Sequence, residues 1–264
     1  MSAPAGSAHE RLGSPRVHLR ETDSTNTVAR ELAGRGAPHG TLVTADQQTA
    51  GRGRQGRAWN APVGASLLCS WVIRWGGGAP SLLSLAAGAA VAELAGERAL
   101  VKWPNDVLID RRKVAGILVE ARPQERWAVL GIGLNVALRI EQLPEELRDR
   151  AATLGLTPAD REPTLARLRE RLERWLTAPD DELLQAVRTR DALRGGPVRW
   201  EGGTGTGAGI DDCGRLLVAL ANGSSVALDA GEVHLGPTEV PAARRAHPAR
   251  PDAVTTDDNL STAP

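Results

Sequence analysis

The sequence predicts an α/β fold: a sheet flanked by helices, followed by a small β-barrel near the carboxyl-terminal end. Two observations support this prediction. Strand-like apolar runs alternate with helical patterns over most of the 264 residues. After Leu193 the pattern changes to short strands that are separated by Gly, Asp and Asn turns about every ten residues, which is typical of a small barrel.

The composition excludes several classes of protein. The chain has 32 basic and 32 acidic residues, so no overall positive field favours nonspecific binding of nucleic acid. Two cysteines, Cys69 and Cys213, cannot form a zinc quartet or a disulfide framework. No apolar run approaches the roughly 18 residues that a membrane span needs. We therefore expect a cytoplasmic protein without a membrane partner.

The first elements alternate between strand and helix. A strand is predicted from Val17, and Ser24 or Thr25 can then cap a helix that ends near Gly34 and Gly36. Two further strands are predicted over 41–46 and 66–75, on either side of an arginine-rich loop.

The middle of the chain returns from strands to helices. Pro80 opens a helix that is rich in Ala and Leu, and four closely spaced strands follow it. From Pro144 the pattern is helical, with leucines spaced three and four apart on one face at Leu165, Leu168, Leu172 and Leu176. These helices are expected to pack on the sheet.

Composition and pattern divide the chain into four parts. Residues 1–15 are predicted to be a disordered arm, 16–194 a first domain, 195–236 a small barrel domain and 237–264 a disordered tail. The barrel strands contain neither Phe nor Tyr for base stacking. A packing or lid domain is therefore the interpretation that we prefer for them.

The loop GRGRQGRAWN, which begins at Gly51, places three arginines and three glycines within seven residues. Glycine permits close approach of the main chain to a ligand, and arginine supplies a permanent cation whose fork fits phosphate or carboxylate. An anionic small ligand is the functional interpretation. A basic loop exposed to solvent is the alternative.

Two other polar stretches also lie at predicted strand ends. TDSTN precedes the first helix, where free N–H groups and hydroxyls suit a carboxylate, urea or phosphate oxygen, although plain helix capping would also explain it. KWPNDVLIDRRKVAGI places Asn105, Asp106 and Lys113 around a hairpin, which on its own could be a charged turn. Three such stretches can converge on one site.

Several familiar site types have no matching motif. The sequence has no P-loop, no complete dinucleotide fingerprint, no metal-binding histidine pair at helical spacing and no nucleophile elbow. The remaining possibility is electrostatic catalysis, with fixed cations and main-chain N–H groups around a negatively charged ligand.

Four stretches in order, TDSTNTVARELA, TADQQTAGRGRQGRAWNAP, KWPNDVLIDRRKVAGILVE and GIGLNV, resemble the motifs of biotin protein ligases. The resemblance extends from about Val17 to Leu235. It implies a class II synthetase-like mixed sheet flanked by helices, followed by an SH3-like barrel. It also implies that biotin and ATP form biotinyl-5′-AMP with Mg²⁺ required. Biotin is then transferred to a lysine of a biotin carboxyl carrier domain of acetyl-CoA or another acyl-CoA carboxylase.

The resemblance implies three groups of site residues. The biotin-binding residues would be Ser24, Thr25, Asn26, Gln48, Gly51, Arg52, Lys113 and Gly116. The nucleotide-binding residues would be Arg52, Gly53, Arg54, Arg57, Trp59, Asn105 and Asn135. Lys113, Arg54 and Asp106 would be catalytic, with Asp106 orienting the carrier amine or a metal-bound water. Mg²⁺ would be held through phosphate, with Asp106 as the candidate protein ligand.

The chain departs from the family pattern at its amino-terminal end. Many bacterial members carry a helix-turn-helix repressor domain there, which would need on the order of 60 residues to bury even a small core. Only sixteen residues precede Val17. We therefore expect the enzyme without the repressor function and without DNA as a partner. A homodimer is compatible with the resemblance.

Two other functions remain as alternatives. A lipoate ligase would share the fold and the adenylate chemistry, but its ligand has no polar group for the hydroxyls and amides of Ser24–Asn26 and Gln48. A nucleic-acid-binding module could use the arginine loop and the barrel. Neutral net charge and the missing base-stacking aromatics argue against it.

Overall fold

The computed structural model describes residues 12–74, 79–229 and 231–235. Within these ranges the chain forms a seven-stranded sheet with α-helices on both faces, and a second sheet of five strands. The predicted α/β fold, a mixed sheet flanked by helices and followed by a second β-rich part, is confirmed.

The large sheet is mixed. Its strands are β1 (Arg16–Thr22), β2 (Leu42–Gln48), β3 (Ser66–Arg74), β4 (Ala99–Lys102), β5 (Asp106–Ile109), β6 (Arg112–Arg122) and β7 (Trp127–Asn135). Their order in space is β1-β2-β3-β7-β6-β5-β4. β1 and β2 run parallel, and every other neighbouring pair in this sheet is antiparallel.

Helices cover the two faces of this sheet unequally. They are α1 (Thr25–Gly34), α2 (Pro80–Ala95), α3 (Glu145–Arg148), α4 (Arg161–Thr177) and α5 (Asp180–Thr189). α1 packs against β2, β3 and β7, whereas α2 contacts the sheet from the other face and is itself covered by α4 and α5. Because side chains alternate along a strand, Trp71 of β3 faces the large core and the next residue, Val72, faces α1.

The helical patterns in the sequence match the packing. α2 is apolar on nearly all sides because it lies between the sheet and two helices. On α4, Leu165, Leu168 and Leu172 are buried as predicted, and Leu176 is partly buried. No helix in the described ranges is long and apolar enough to cross a membrane.

The second sheet shares a core with the first part of the chain. Its strands are β8 (Pro197–Trp200), β9 (Gly203–Ile210), β10 (Leu216–Ala219), β11 (Ser225–Leu228) and β12 (His234–Leu235), in the order β11-β10-β9-β8-β12. The buried Trp103 indole N–H donates to the Gly214 carbonyl oxygen at 3.0 Å. One apolar cluster includes both Trp103 and Val218 of β10, so the two parts are packed together rather than merely linked.

Part of the predicted disordered arm is folded. Leu12 is buried in the main core, Gly13 N–H donates to the Gly40 carbonyl oxygen, and the Pro15 carbonyl accepts from Leu42 N–H. The prediction of disorder is therefore wrong for residues 12–15, because one leucine anchors the segment to the core. Residues 1–11 and the predicted tail 237–264 lie outside the described residues.

Candidate active site

A partly open cavity lies where α1 begins, at the end of β2 and beside β5, β6 and β7. Residues of the arginine loop and of the segment 231–233 also line it. Its empty space, counted to the mouth, is about 880 Å³. Thirteen of the fifteen residues that the sequence singles out line this cavity: Ser24, Thr25, Asn26, Gln48, Arg52, Gly53, Arg54, Arg57, Trp59, Asn105, Asp106, Lys113 and Gly116. The three polar stretches do converge.

The polar end of the cavity, which consists of Ser24, Thr25, Asn26 and Gln48, is built on the first turn of α1. Ser24 is the N-cap residue, but its side chain makes no capping bond. Gln48 Oε1 instead accepts from the Thr25 N–H at 2.8 Å and from the Thr25 hydroxyl at 3.0 Å. A strand side chain thus satisfies a free N–H of the helix, and the Gln48 amide NH₂ group remains available as a donor.

Asn26 is held in one orientation by side chains from two strands. Its Nδ2 donates to Glu120 Oε2 of β6 at 2.7 Å, and the Ser70 hydroxyl of β3 lies 2.7 Å from its Oδ1. Ser70 also lies 2.8 Å from the Thr25 hydroxyl oxygen, and its single proton serves one of these acceptors at a time. Asn26 Oδ1 therefore keeps the capacity to accept a further hydrogen bond, and Asn26 is one of the residues that line the cavity.

Ser70 and Glu120 were not predicted from the sequence as site residues. Ser70 is a fully buried polar residue within the apolar run of β3, and Glu120 ends the stretch KVAGILVE. Arg30 of α1 pairs with the other Glu120 oxygen at 3.3 Å. A buried hydroxyl in an apolar strand was the available signal, because such a group needs a partner.

Glycines of β6 and β7 form a floor under Trp59. Gly116 and Gly133 face each other across the two strands, and a Cβ on Gly133 would lie 2.5 Å from the Trp59 ring. A Cβ on Gly131 would overlap the Asn26 side-chain oxygen. Gly131 and Gly133 were not singled out from the sequence, although both lie in the quoted stretch GIGLNV. They permit close approach here because they lack a side chain.

The cationic end of the cavity, which consists of Arg52, Arg54, Arg57, Lys102 and Lys113, contains one further predicted residue, Asp106. Lys113 Nζ lies 2.7 Å from Asp106 Oδ1, and Lys102 Nζ lies 3.6 Å from Oδ2. Burial lowers the pKa of Lys102, and the charge of Asp106 opposes that shift. Lys102 opens the quoted stretch KWPND, but the sequence analysis assigned it no role.

Arg54 lies deeper than its neighbours in the loop. Its Nη1 donates to Asn105 Oδ1 at 3.3 Å, and Asn105 Nδ2 donates to the Ile117 carbonyl oxygen at 3.1 Å. Burial lowers the pKa of Arg54, with Asp106 acting in the opposite direction. A half-buried guanidinium with one neutral partner is available for an anion.

The other two arginines of the loop are paired with surrounding elements. Arg52 donates to the Thr27 hydroxyl of α1 at 2.7 Å, and Arg57 forms an ion pair with Glu232 of the segment 231–233. Gly53 N–H donates to the Arg57 carbonyl oxygen at 2.7 Å, which closes the loop on itself.

Two predicted residues do not line the cavity. Gly51 lies beneath the loop, where its carbonyl accepts from Trp59 N–H at 2.8 Å and a Cβ would overlap the Trp59 carbonyl oxygen. Asn135 is buried, accepts from the Ser66 hydroxyl at 3.1 Å and donates to the Ala152 carbonyl oxygen at 2.9 Å. Their direct ligand roles stay predictions, and their contacts here support neighbouring segments.

The described residues contain no group of three or more His, Cys, Asp or Glu side chains that could hold a metal ion. At the cavity, both Asp106 oxygens face lysine ammonium groups. This donor set fits a metal ion that is held through the phosphates of a ligand better than one held by the protein.

Comparison with known proteins gives a consistent result. The profile of the Biotin/lipoate A/B protein ligase family matches residues 19–136, a range that contains all fifteen residues singled out from the sequence. Biotin--[acetyl-CoA-carboxylase] ligase of Mycobacterium tuberculosis is 38% identical over 244 residues, covering 81% of this chain and 86% of that protein. Bifunctional ligase/repressor BirA of Bacillus subtilis is 41% identical over 155 residues. That match covers 55% of this chain and 48% of BirA, so the chain spans about half the length of that relative.

The same relationship is found among solved structures. Biotin protein ligase from Aquifex aeolicus in complex with biotin and ATP superposes with a TM-score of 0.71 at 30% sequence identity. The superposition covers 84% of this chain and 99% of that one. It therefore includes the second sheet as well as the first.

Proposed function

This chain belongs to the biotin protein ligase family, and on that premise we propose that it activates biotin with ATP and transfers it to a lysine of a carrier domain. In the first step, a biotin carboxylate oxygen attacks the α-phosphorus of ATP and pyrophosphate leaves, which gives biotinyl-5′-AMP. In the second step, a neutral lysine amine attacks the carbonyl carbon of this anhydride. The bond from carbon to the phosphate oxygen breaks, AMP leaves and the nitrogen gives up a proton.

The polar end of the cavity is the observation that carries this proposal. A cyclic urea presents one acceptor oxygen and two N–H donors. The Gln48 amide and the Ser24 hydroxyl offer donors, and Asn26 Oδ1 and the Thr25 hydroxyl oxygen offer acceptors. Lipoate ends in a dithiolane ring that cannot pair with them, and buried polar groups without partners lower affinity. The site therefore favours biotin over lipoate.

The cationic end suits the adenylation step. Negative charge develops on the reacting carboxylate and phosphate, and cations held close to that charge in a partly enclosed cavity stabilise it. Lys113, whose side chain is 36% exposed, would reach this charge from β6. Arg54 and the main chain at Gly53 would bind the phosphate, with Arg52 and Arg57 in support.

Trp59 and Asp106 take the remaining roles in the proposal. Trp59 lies against the glycine floor and would form a wall of the ligand site, with Asn105 beside the anhydride. Asp106 would orient the carrier amine in the second step. Mg²⁺ would enter with ATP and offset the charge of its phosphates, as magnesium does at most sites for nucleoside triphosphates.

The proposal extends to organisation and partners. Residues 16–194 would form the catalytic domain and 195–236 the SH3-like domain, with Glu232 and Val233 contributing to the cavity. The carrier would be the biotin carboxyl carrier domain of an acyl-CoA carboxylase. We also propose that the reaction takes place in the cytoplasm, where ATP and a carboxylase carrier would both be available. We propose no DNA partner. A homodimer is compatible with the family, and size-exclusion chromatography with light scattering would detect it.

The proposal is tested by incubating the purified protein with biotin, ATP and Mg²⁺ and analysing it by mass spectrometry for bound biotinyl-AMP. The expected result is one adenylate per chain and a much weaker signal with lipoate. Addition of a carrier domain should then move biotin to its target lysine, but not to a carrier with arginine at that position. An equal or stronger signal with lipoate would instead identify a lipoate ligase, and absence of both adenylates would contradict the proposal.

A further inference from the structure

Lysine is rare in this chain, and both lysines contact the same carboxylate. Lys102 and Lys113 are the only lysines among the 32 basic residues, and all the others are arginines. Lys113 Nζ lies 2.7 Å from Asp106 Oδ1, and Lys102 Nζ lies 3.6 Å from Asp106 Oδ2. An ammonium group is compact and a guanidinium is a planar fork, so one replaces the other only in part at a crowded site. Both side-chain ammonium groups of the chain therefore lie beside Asp106.

The surroundings of the two lysines differ. Lys113 is 36% exposed, lies 5.5 Å from the centre of the Trp59 ring and packs against Gly116, on the side of the cavity proposed for the ligand. Lys102 is only 17% exposed and ends β4, where it is paired in register with Asp106 of β5. Lys113 is thus placed to exchange partners, whereas Lys102 is fixed beside Asp106 by the sheet.

The position of Lys102 is unfavourable for a cation in other respects. Burial disfavours its charge, and Lys113 and Arg57 are like charges nearby. Burial of a cation costs free energy that a close partner of opposite charge must offset. Among the charged groups that act on it, Asp106 is the one that favours its charge.

We infer that Lys102 is a positioning residue that keeps Asp106 directed into the cavity when Lys113 turns from Asp106 to the ligand. This inference rests on the proposed function, in which Lys113 binds the reacting carboxylate and phosphate. Asp106 then loses its contact at 2.7 Å, and Lys102 supplies the remaining cation. Asp106 thereby stays available to orient the carrier amine in the second step. Lys102 therefore supports transfer more than adenylation.

Selective labelling gives a direct test, because protein labelled with ¹³C at the lysine ε-carbons has only two such sites. A Lys102→Arg variant assigns the two NMR signals. On titration with a non-hydrolysable biotinyl-AMP analogue, the Lys113 signal should shift strongly and the Lys102 signal little. Equal shifts, or a shift of Lys102 alone, would overturn the inference. No shift together with no binding of the analogue by calorimetry would count against the proposed function itself.

Kinetics of the two half-reactions provide the second test. Lys102→Met should slow single-turnover transfer from preformed adenylate by about tenfold to a hundredfold, the range seen when a supporting residue of a catalytic group is lost. KM for biotin and ATP should change little. Lys102→Arg keeps the charge and should recover part of the transfer rate. Arg98→Met is the matched control, since Arg98 pairs with Asp110 at the opposite, exposed end of the same hairpin.

Three outcomes of the kinetic test decide the matter. Selective loss of transfer with partial recovery in Lys102→Arg supports positioning of Asp106. Wild-type transfer in Lys102→Met overturns it. Equal loss of both half-reactions, accompanied by a lower Tm in Lys102→Met than in Arg98→Met, shows a structural role and also overturns it.

Discussion

The two ends of the cavity are constructed differently. At the polar end, Asn26 and Thr25 are buried and form hydrogen bonds with side chains from separate strands: Thr25 donates to Gln48, and Asn26 donates to Glu120 and accepts from Ser70. At the cationic end, Arg52 and Arg57 are exposed, and Arg57 pairs with an acidic side chain from another part of the chain. Buried networks of this kind hold one geometry, whereas exposed ion pairs contribute little and are easily exchanged.

We infer from this difference that the polar end of the cavity recognises the ligand and that the cationic end takes part in the chemistry. The polar end is complete before a ligand arrives, so it can select a head group without rearrangement. The cationic end has partners that a phosphate can replace, which suits a loop that orders when the ligand is bound. Substitutions at the polar end should therefore change affinity, and those at the cationic end should change rates.

The largest effect is expected for Lys113→Ala. Loss of one oriented cation at a developing charge costs roughly 10² to 10³ in rate, so adenylate formation should nearly stop. Pyrophosphate release measures this step, and circular dichroism checks that the fold is intact. A near-normal rate of pyrophosphate release in Lys113→Ala would show that Lys113 is not catalytic. Lys113→Arg should also be poor, because a planar fork does not replace the ammonium.

Arg54→Gly should mainly affect retention of the adenylate. A hydrogen bond to a charged group contributes about 1.5–3 kcal/mol, so its loss should raise the off-rate of biotinyl-AMP roughly tenfold to a hundredfold. Adenylate formation should persist because Lys113 remains. Filter binding gives the off-rate, and streptavidin blotting should reveal biotin on bystander proteins. If the variant retains adenylate as well as wild type and labels the carrier alone, Arg54 does not bind the phosphate.

Ser70→Ala tests the buried support of the polar end. Removal of the hydroxyl leaves a buried acceptor on Asn26 or Thr25 without its donor, which costs about 1–2 kcal/mol. The expected result is a Kd for biotin that rises roughly fivefold to thirtyfold, with little change in the KM for ATP. Calorimetry measures the Kd for biotin. A change in the KM for ATP without a change in the Kd for biotin would show that the two ends of the cavity are not separate in function.

The smallest effect is expected at Asp191, outside the cavity. Burial raises the pKa of this carboxyl, against the Leu193 N–H bond and the charge of Arg194, and its Oδ2 has no hydrogen-bond partner among the residues that the structure describes. A raised native pKa means that its contribution to stability is complete below the ordinary value of 3.8 and declines as pH rises through the native value.

Asp191→Asn removes the buried charge and keeps an acceptor for Leu193 N–H. Its Tm should exceed that of wild type by about 2–4 °C at pH 7, the size of a change near 1 kcal/mol in a chain of this length. The gain should shrink as pH falls towards 4. Calorimetry at the two pH values provides the measurement, and a gain that grows on acidification would contradict the argument.

Much of the fold was predictable because local patterns agree with the tertiary packing. The strand at 66–75 and the helix from Pro80 were predicted within about two residues of β3 and α2. Disorder at residues 12–15 was predicted wrongly, since the pattern around Leu12 has no period and its anchor is a tertiary contact.

The site was predictable where chemistry is concentrated in short stretches, as in the arginine loop. Lys102, Ser70 and Glu120 were missed because their roles depend on neighbours from other strands. Glu120 meets Asn26 across 94 positions of sequence, and Ser70 meets it across 44. Sheet register brings such partners together, and the lone hydroxyl of Ser70 in an apolar run indicated that a partner was needed but not which residue it would be.

The scarcity of lysine has a practical consequence for handling the protein. Reagents that acylate side-chain amines have two targets in the 264 residues, and these are the partly buried Lys102 and Lys113. A succinimidyl dye or an amine-directed crosslinker therefore has no side-chain target on the outer faces of the two sheets and their helices. Cleavage by a lysine-specific endoprotease is restricted in the same way, to two bonds near one cavity, so nicking by such an enzyme would report directly on opening of the site.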